Sequence, residues 1–156
     1  MTGHELTKSV WTDADFDVMG WHDAHLHCFS VLPESWELVM DLDYIAKWVH
    51  PEEGETYFRF WVSPVTLVFA DLQHLDVRIQ MDALCEIDVL DLHREPGERD
   101  GDWRWSVELG PGEISFNSTG FKQFFRKEPM LVDRQMLTHA ERGGLSYART
   151  AWDGST

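Results

Sequence analysis

An antiparallel β protein, a sandwich or an open barrel with one or two short helices, is the fold class predicted by this chain of 156 residues. Three observations predict it. Apolar and polar residues alternate with a period of two in many short runs, clusters of proline, glycine and acids separate the runs, and no long stretch keeps a helical period. The length suits a single domain over 1–156. With 43% hydrophobic and 13% aromatic residues, enough apolar area is available to exclude disorder.

Residues 1–20 mix small, polar and acidic types and read as a leader that packs on the domain through Trp11 and Phe16. From His25 the chain alternates, with Leu26, Cys28 and Ser30 on one side and His25, His27, Phe29 and Val31 on the other, until Pro33 stops it. Trp36 to Tyr44 alternate more clearly: Leu38, Met40, Leu42 and Tyr44 face one way, and Glu37, Val39, Asp41 and Asp43 the other. Pro33-Glu34-Ser35 between the two runs predicts a hairpin. Ile45 to Val49 either winds into a short helix or continues the strand, and His50 to Glu55 is a loop.

Phe58, Phe60 and Val62 alternate with Arg59, Trp61 and Ser63, then Pro64 intervenes before Val65, Leu67 and Phe69. Because proline cannot donate to a central ladder, Pro64 predicts two strands rather than one. Leu75 to Ile79 and Cys85 to Leu92 give two more. Trp103 to Leu109 and Ile114 to Phe116, joined by Gly110-Pro111-Gly112, form the clearest hairpin. Phe121 to Lys127 is the next strand, with Lys122, Arg126 and Lys127 as a solvated basic face. Asp133 to Arg142 reads as a short helix capped by Asp133 and stopped by Gly143-Gly144, and the tail over 150–156 should fray.

The net charge of −15 is unevenly placed: residues 1–101 hold 21 Asp/Glu against 6 Lys/Arg, and residues 102–156 hold 7 against 7. Such a surface repels nucleic acid and anionic membranes and attracts a basic protein partner or metal ions. Neither a signal-peptide run nor a bilayer-length apolar run occurs, which predicts a soluble cytoplasmic chain. Cys28 and Cys85 share no metal-type or redox-type spacing and read as reduced, buried core residues.

Chemistry concentrates in Trp21-His22-Asp23-Ala24-His25-Leu26-His27-Cys28. The structural reading makes Trp21, His22 and Asp23 the corner that starts the sheet, closed by side-chain to backbone hydrogen bonds and anchored by the buried indole. The catalytic reading groups His22, His25 and His27 with Asp41 or Asp43 as Zn²⁺ ligands. On an extended strand Cys28 points away from His25 and His27, which argues against a thiol nucleophile. The common hydrolase, nucleotide-binding and metalloprotease motifs are absent from the sequence.

A second constellation is acidic. Asp41, Asp43, Glu86 and Asp88 would form a negative sheet face beside Trp48 or Trp61, rimmed by Trp21, His22 and Asp23, and such a face suits a basic partner. Exposed sheet edges could also be closed by a second copy of the chain, giving a homodimer.

The order of Trp21-His22-Asp23-Ala24 before a strand, Leu67-Val68-Phe69 before Leu75-Asp76-Val77, and the hairpin from Trp103 to Phe116 resembles a group of small bacterial β-rich proteins. That group is similar in turn to immunity proteins of polymorphic toxin systems. The likeness covers residues 19–127. It implies a toxin-neutralising or accessory binding role in a bacterial cytosol and brings no catalytic residues to transfer; a non-enzymatic protein without a cofactor is the expectation, with a zinc enzyme as the alternative.

Overall fold

The computed structural model describes residues 7–153. Among the described residues ten antiparallel strands form one open sheet, ordered β1-β9-β4-β3-β2-β6-β7-β8-β5, with β10 added beside β4. The strands are β1 (Val10–Thr12), β2 (His25–Leu32), β3 (Glu37–Val49), β4 (Arg59–Ala70), β5 (Gln73–Ile79), β6 (Ile87–Pro96), β7 (Trp103–Leu109), β8 (Gly112–Ser118), β9 (Gly120–Phe125) and β10 (Met130–Val132). A 3₁₀ helix (Asp13–Val18) and one helical turn, α1 (His139–Arg142), complete the elements. Among the described residues no helix is long and apolar enough to cross a membrane.

The sheet curls until its two halves face each other. In strand order β4 and β7 are separated by three strands, or roughly 19 Å at the usual spacing. Yet the ring of Phe69 on β4 lies 5.2 Å from Trp105 on β7 and 4.6 Å from Phe116 on β8. The principal core fills the space between the halves, with Leu38, Met40, Leu42 and Tyr44 from β3 meeting Val107, Leu109 and Ile114 from β7 and β8. On one side the halves are joined by the short β2–β6 pairing. On the other, the chain crosses between them at Asp71 and Thr119, whose side chains hydrogen-bond at 2.6 Å, while Ser118 Oγ donates to Ala70 O at 2.5 Å.

Trp11 and Phe16 pack against this core, as the leader's composition predicts, and residues 1–6 lie outside the described residues. Thr12 caps the 3₁₀ helix. The Pro33 turn and the hairpin between β7 and β8 form where the sequence places them, and Ile45 to Val49 continues β3 past a bulge.

Four expectations are corrected. Pro64 does not split the strand. Its flank of β4 changes partner there, from β10 over Phe60–Val62 to β9 from Val65 onward, so the missing N–H falls where no ladder bond is required. Pro64 O still accepts from Arg126 N–H at 3.0 Å. Cys85 is exposed rather than buried, because β6 starts only at Ile87 and the preceding residues loop outward. The predicted helix over residues 133–142 shrinks to the single turn α1, capped by Thr138 instead of Asp133 and closed by Gly143 at φ 82°. The segment ahead of it bends over residues 133–136 instead of winding, and Leu137 N–H is committed to Asp43 rather than to a helical carbonyl. Finally, the tail is tied down as far as Trp152, whose N–H donates to Phe125 O at 2.7 Å; residues 154–156 lie outside the described residues.

Candidate functional site

The outer faces of β3 and β4 carry the polar half of their alternation, and the chain after β9 lies across them. Thr66 Oγ1 donates to Ala148 O, Ser63 Oγ donates to Lys127 O, and the hydroxyls of Ser30 and Tyr147 meet at 3.0 Å. Leu137 packs with Ile45, Phe60 and Val62 in a second small core under this segment. Asp41 and Asp43 are therefore fully buried instead of standing on a wet platform.

Burying two carboxylates without compensation would be prohibitive, and cations and amides offset it. The Arg142 guanidinium lies 2.6 Å from Asp41 Oδ1 and 3.1 Å from Asp43 Oδ1 and also donates to Gly144 O. Arg126 reaches Asp41 at 2.7 Å and donates to Thr66 Oγ1. His27 Nε2 meets Asp43 Oδ2 at 2.7 Å, and the N–H groups of Ser146 and Leu137 donate to Asp41 and Asp43. Arg126, expected on a solvated basic face, is thus a buried counter-ion, while Lys122 and Lys127 stay exposed.

Burial by itself would raise both carboxyls. The hydrogen bonds from Arg142, Ser146 and Arg126 to Asp41, and from His27 and Leu137 to Asp43, together outweigh it and hold both below the ordinary value of 3.8. A carboxylate depressed in the folded state contributes stability that is complete above the unfolded value and is lost as pH falls through the folded one. Urea midpoints should accordingly hold above about pH 5 and drop below about pH 4. An Asp41→Asn variant should show a shallower drop, and equal acid slopes in both proteins would contradict this origin.

β2 is irregular at the histidines. The register shifts between Leu26 and Cys28, so Leu26 opposes Leu42 and Phe29 opposes Met40 on the core face, while Cys28 opposes Asp41 on the outer face. Simple alternation, which set Cys28 against His25 and His27, is corrected by this bulge: all three face outward. His25 opposes Asp43 on β3 and Asp88 on β6, giving a row of Asp43, His25 and Asp88 across three strands.

The two ends of this row differ. Asp43 is sealed beneath Arg142, whereas Asp88 and Glu86 open into a cleft of about 570 Å³ walled by Trp48, Tyr57 and Phe58. Tyr57 is 81% exposed, and Phe58 and Trp48 are also solvent-facing, an unusual grouping of large apolar rings beside the acidic loop at Glu52, Glu53 and Glu55. Arg134, Gln135 and Met136 close the far wall.

Trp21, His22 and Asp23 do form a corner. Ala24 N–H donates to Trp21 O, Asp23 adopts φ 64°, and Trp21 is buried with its indole N–H on Gln123. Trp21 is therefore an anchor beneath the surface. His22 stays exposed, with Nδ1 2.9 Å from Leu90 O and its ring stacked 6.2 Å from Trp48. The set His22, His25, His27 and Asp41 is not assembled: Asp41 is held by two arginines, His27 by Asp43, and His22 lies against Trp48. Residue patterns missed Tyr57, Phe58 and Arg142. The aromatic pair directly after an acidic loop was the available signal for the first two. No family model, curated protein or solved structure matches the chain.

Proposed function

We propose that this chain is a non-enzymatic acidic binding protein that engages a basic protein partner, in the manner of an immunity protein masking a toxin in a bacterial cytosol. The observation that carries the reading is the cleft in which Trp48, Tyr57 and Phe58 stand solvent-facing beside Glu86 and Asp88. Aromatic side chains supply large contact area at low entropic cost, and acids next to them that have no lysine or arginine partner among the described residues attract and orient a cationic surface. The two buried aspartates take no part, because Arg126 and Arg142 already neutralise them. Free cysteines, one of them exposed, accord with a reducing compartment.

The full-length chain co-expressed with the product of its neighbouring gene should co-purify with it and protect cells from it. Raising salt should weaken the complex. Truncating Trp48 or Phe58 to alanine should cost about tenfold or more in affinity. Absence of both complex and protection would overturn the proposal.

A further inference from the structure

We propose that His25, Glu86 and Asp88 form a divalent-cation site of the zinc type at the floor of the aromatic cleft. One donor atom from each lies within 4.8 Å of the others. Strand register brings them together: His25 and Asp88 are directly opposite on β2 and β6, and Glu86 stands two residues before Asp88.

His25 Nδ1 lies 3.4 Å from Asp88 Oδ1. That is too long for a strong charge-assisted hydrogen bond, which spans about 2.7–2.9 Å. It matches the edge of a tetrahedron whose ligands sit at the usual zinc distances, about 3.3–3.6 Å. The His25 side chain is only 9% exposed, and among the described residues its one hydrogen-bond-range contact is Asp88, inside the cluster. The ring is held from behind by His27, 4.6 Å away at 72°, whose Nε2 is committed to Asp43.

Charge points the same way. Asp41 and Asp43 have arginine partners, whereas among the described residues neither Glu86 nor Asp88 is paired with a lysine or arginine. One imidazole with two carboxylates suits Zn²⁺ or Mn²⁺ better than the all-oxygen preference of Ca²⁺ and Mg²⁺ or the thiolate preference of Cu⁺. Three protein donors leave a fourth position facing the cleft. The site uses the same Glu86 and Asp88 as the partner-binding reading, so a bound ion would neutralise acids that reading invokes, and metal titration without any partner tests the site separately.

The test is calorimetric titration of the purified full-length chain with ZnCl₂ alone, repeated by Co²⁺ absorption. One ion per chain is expected, with a dissociation constant of about 10 μM or tighter. Glu86→Gln and Asp88→Asn, both at exposed positions, should each weaken binding about tenfold or more while the far-ultraviolet dichroism stays unchanged. Glu108→Gln, which alters the exposed His93–Glu108 pair, should leave binding intact. Binding weaker than about 1 mM, or equal binding by wild type and both site variants, would overturn the site.

Discussion

Replacing Arg142 with alanine is expected to destabilise the protein by about 3–5 kcal/mol, the usual cost of leaving a buried charge without its partner. Two carboxylates would lose a shared counter-ion at once, since Arg142 contacts both Asp41 and Asp43 and all three side chains are fully buried. Arg126 and His27 would remain, but each serves only one of the two acids. Urea denaturation gives the magnitude. Adding Asp43→Asn to the alanine variant should recover part of the loss, because Asp41 keeps Arg126 whereas Asp43 loses its arginine, and a neutral amide removes that unpaired charge. If the double variant is no more stable than Arg142→Ala, lost packing rather than lost charge is the cause.

Trp105→Ala should cost a similar amount, about 3–5 kcal/mol, and lower the melting temperature by about 6–20 °C. Trp105 is fully buried, with Phe69, Phe121 and Phe16 within 5.7 Å of its ring and its indole N–H on Ser118 O at 3.1 Å. These rings come from β4, β9 and the 3₁₀ helix, so the cavity would open where the two halves of the sheet meet. Trp105→Phe keeps the aromatic edge and should lose less than half as much. A loss below about 1 kcal/mol for the alanine variant would mean that the cavity collapses freely and the core is less ordered than its packing indicates.

Strand placement was legible because it rests on a local period. Leu38, Met40, Leu42 and Tyr44 lie on the core side where alternation put them, and the glycine-proline turn between β7 and β8 forms as its chemistry requires. Burial of the opposite face was not legible. A polar face shielded by water and one shielded by arginines and amides have the same alternating pattern, and what distinguishes them is a segment nearly a hundred residues downstream.

The bulge at His27 was hidden for a related reason. One extra residue shifts every later side chain to the other face, and nothing in His25-Leu26-His27-Cys28 marks the insertion. Pro64 misled in the opposite direction: its rule is sound for a strand with a continuous neighbour, but β4 exchanges one neighbour for another there. For the site, single residues were recognised ahead of their company. His25, Glu86 and Asp88 each drew attention in the sequence, but their grouping needed the β2–β6 register.

The pairing of Asp43 with Arg142 also sets an order of events during synthesis. Ninety-nine residues separate the two partners. At about 5–20 residues per second, the ribosome delivers the arginine roughly 5–20 s after the aspartate. Throughout that interval β3 must keep its outer carboxylates in water. The face that carries Asp41 and Asp43 therefore gains its shared counter-ion only near the end of synthesis, and its sealing is completed after the strands beneath it have been made.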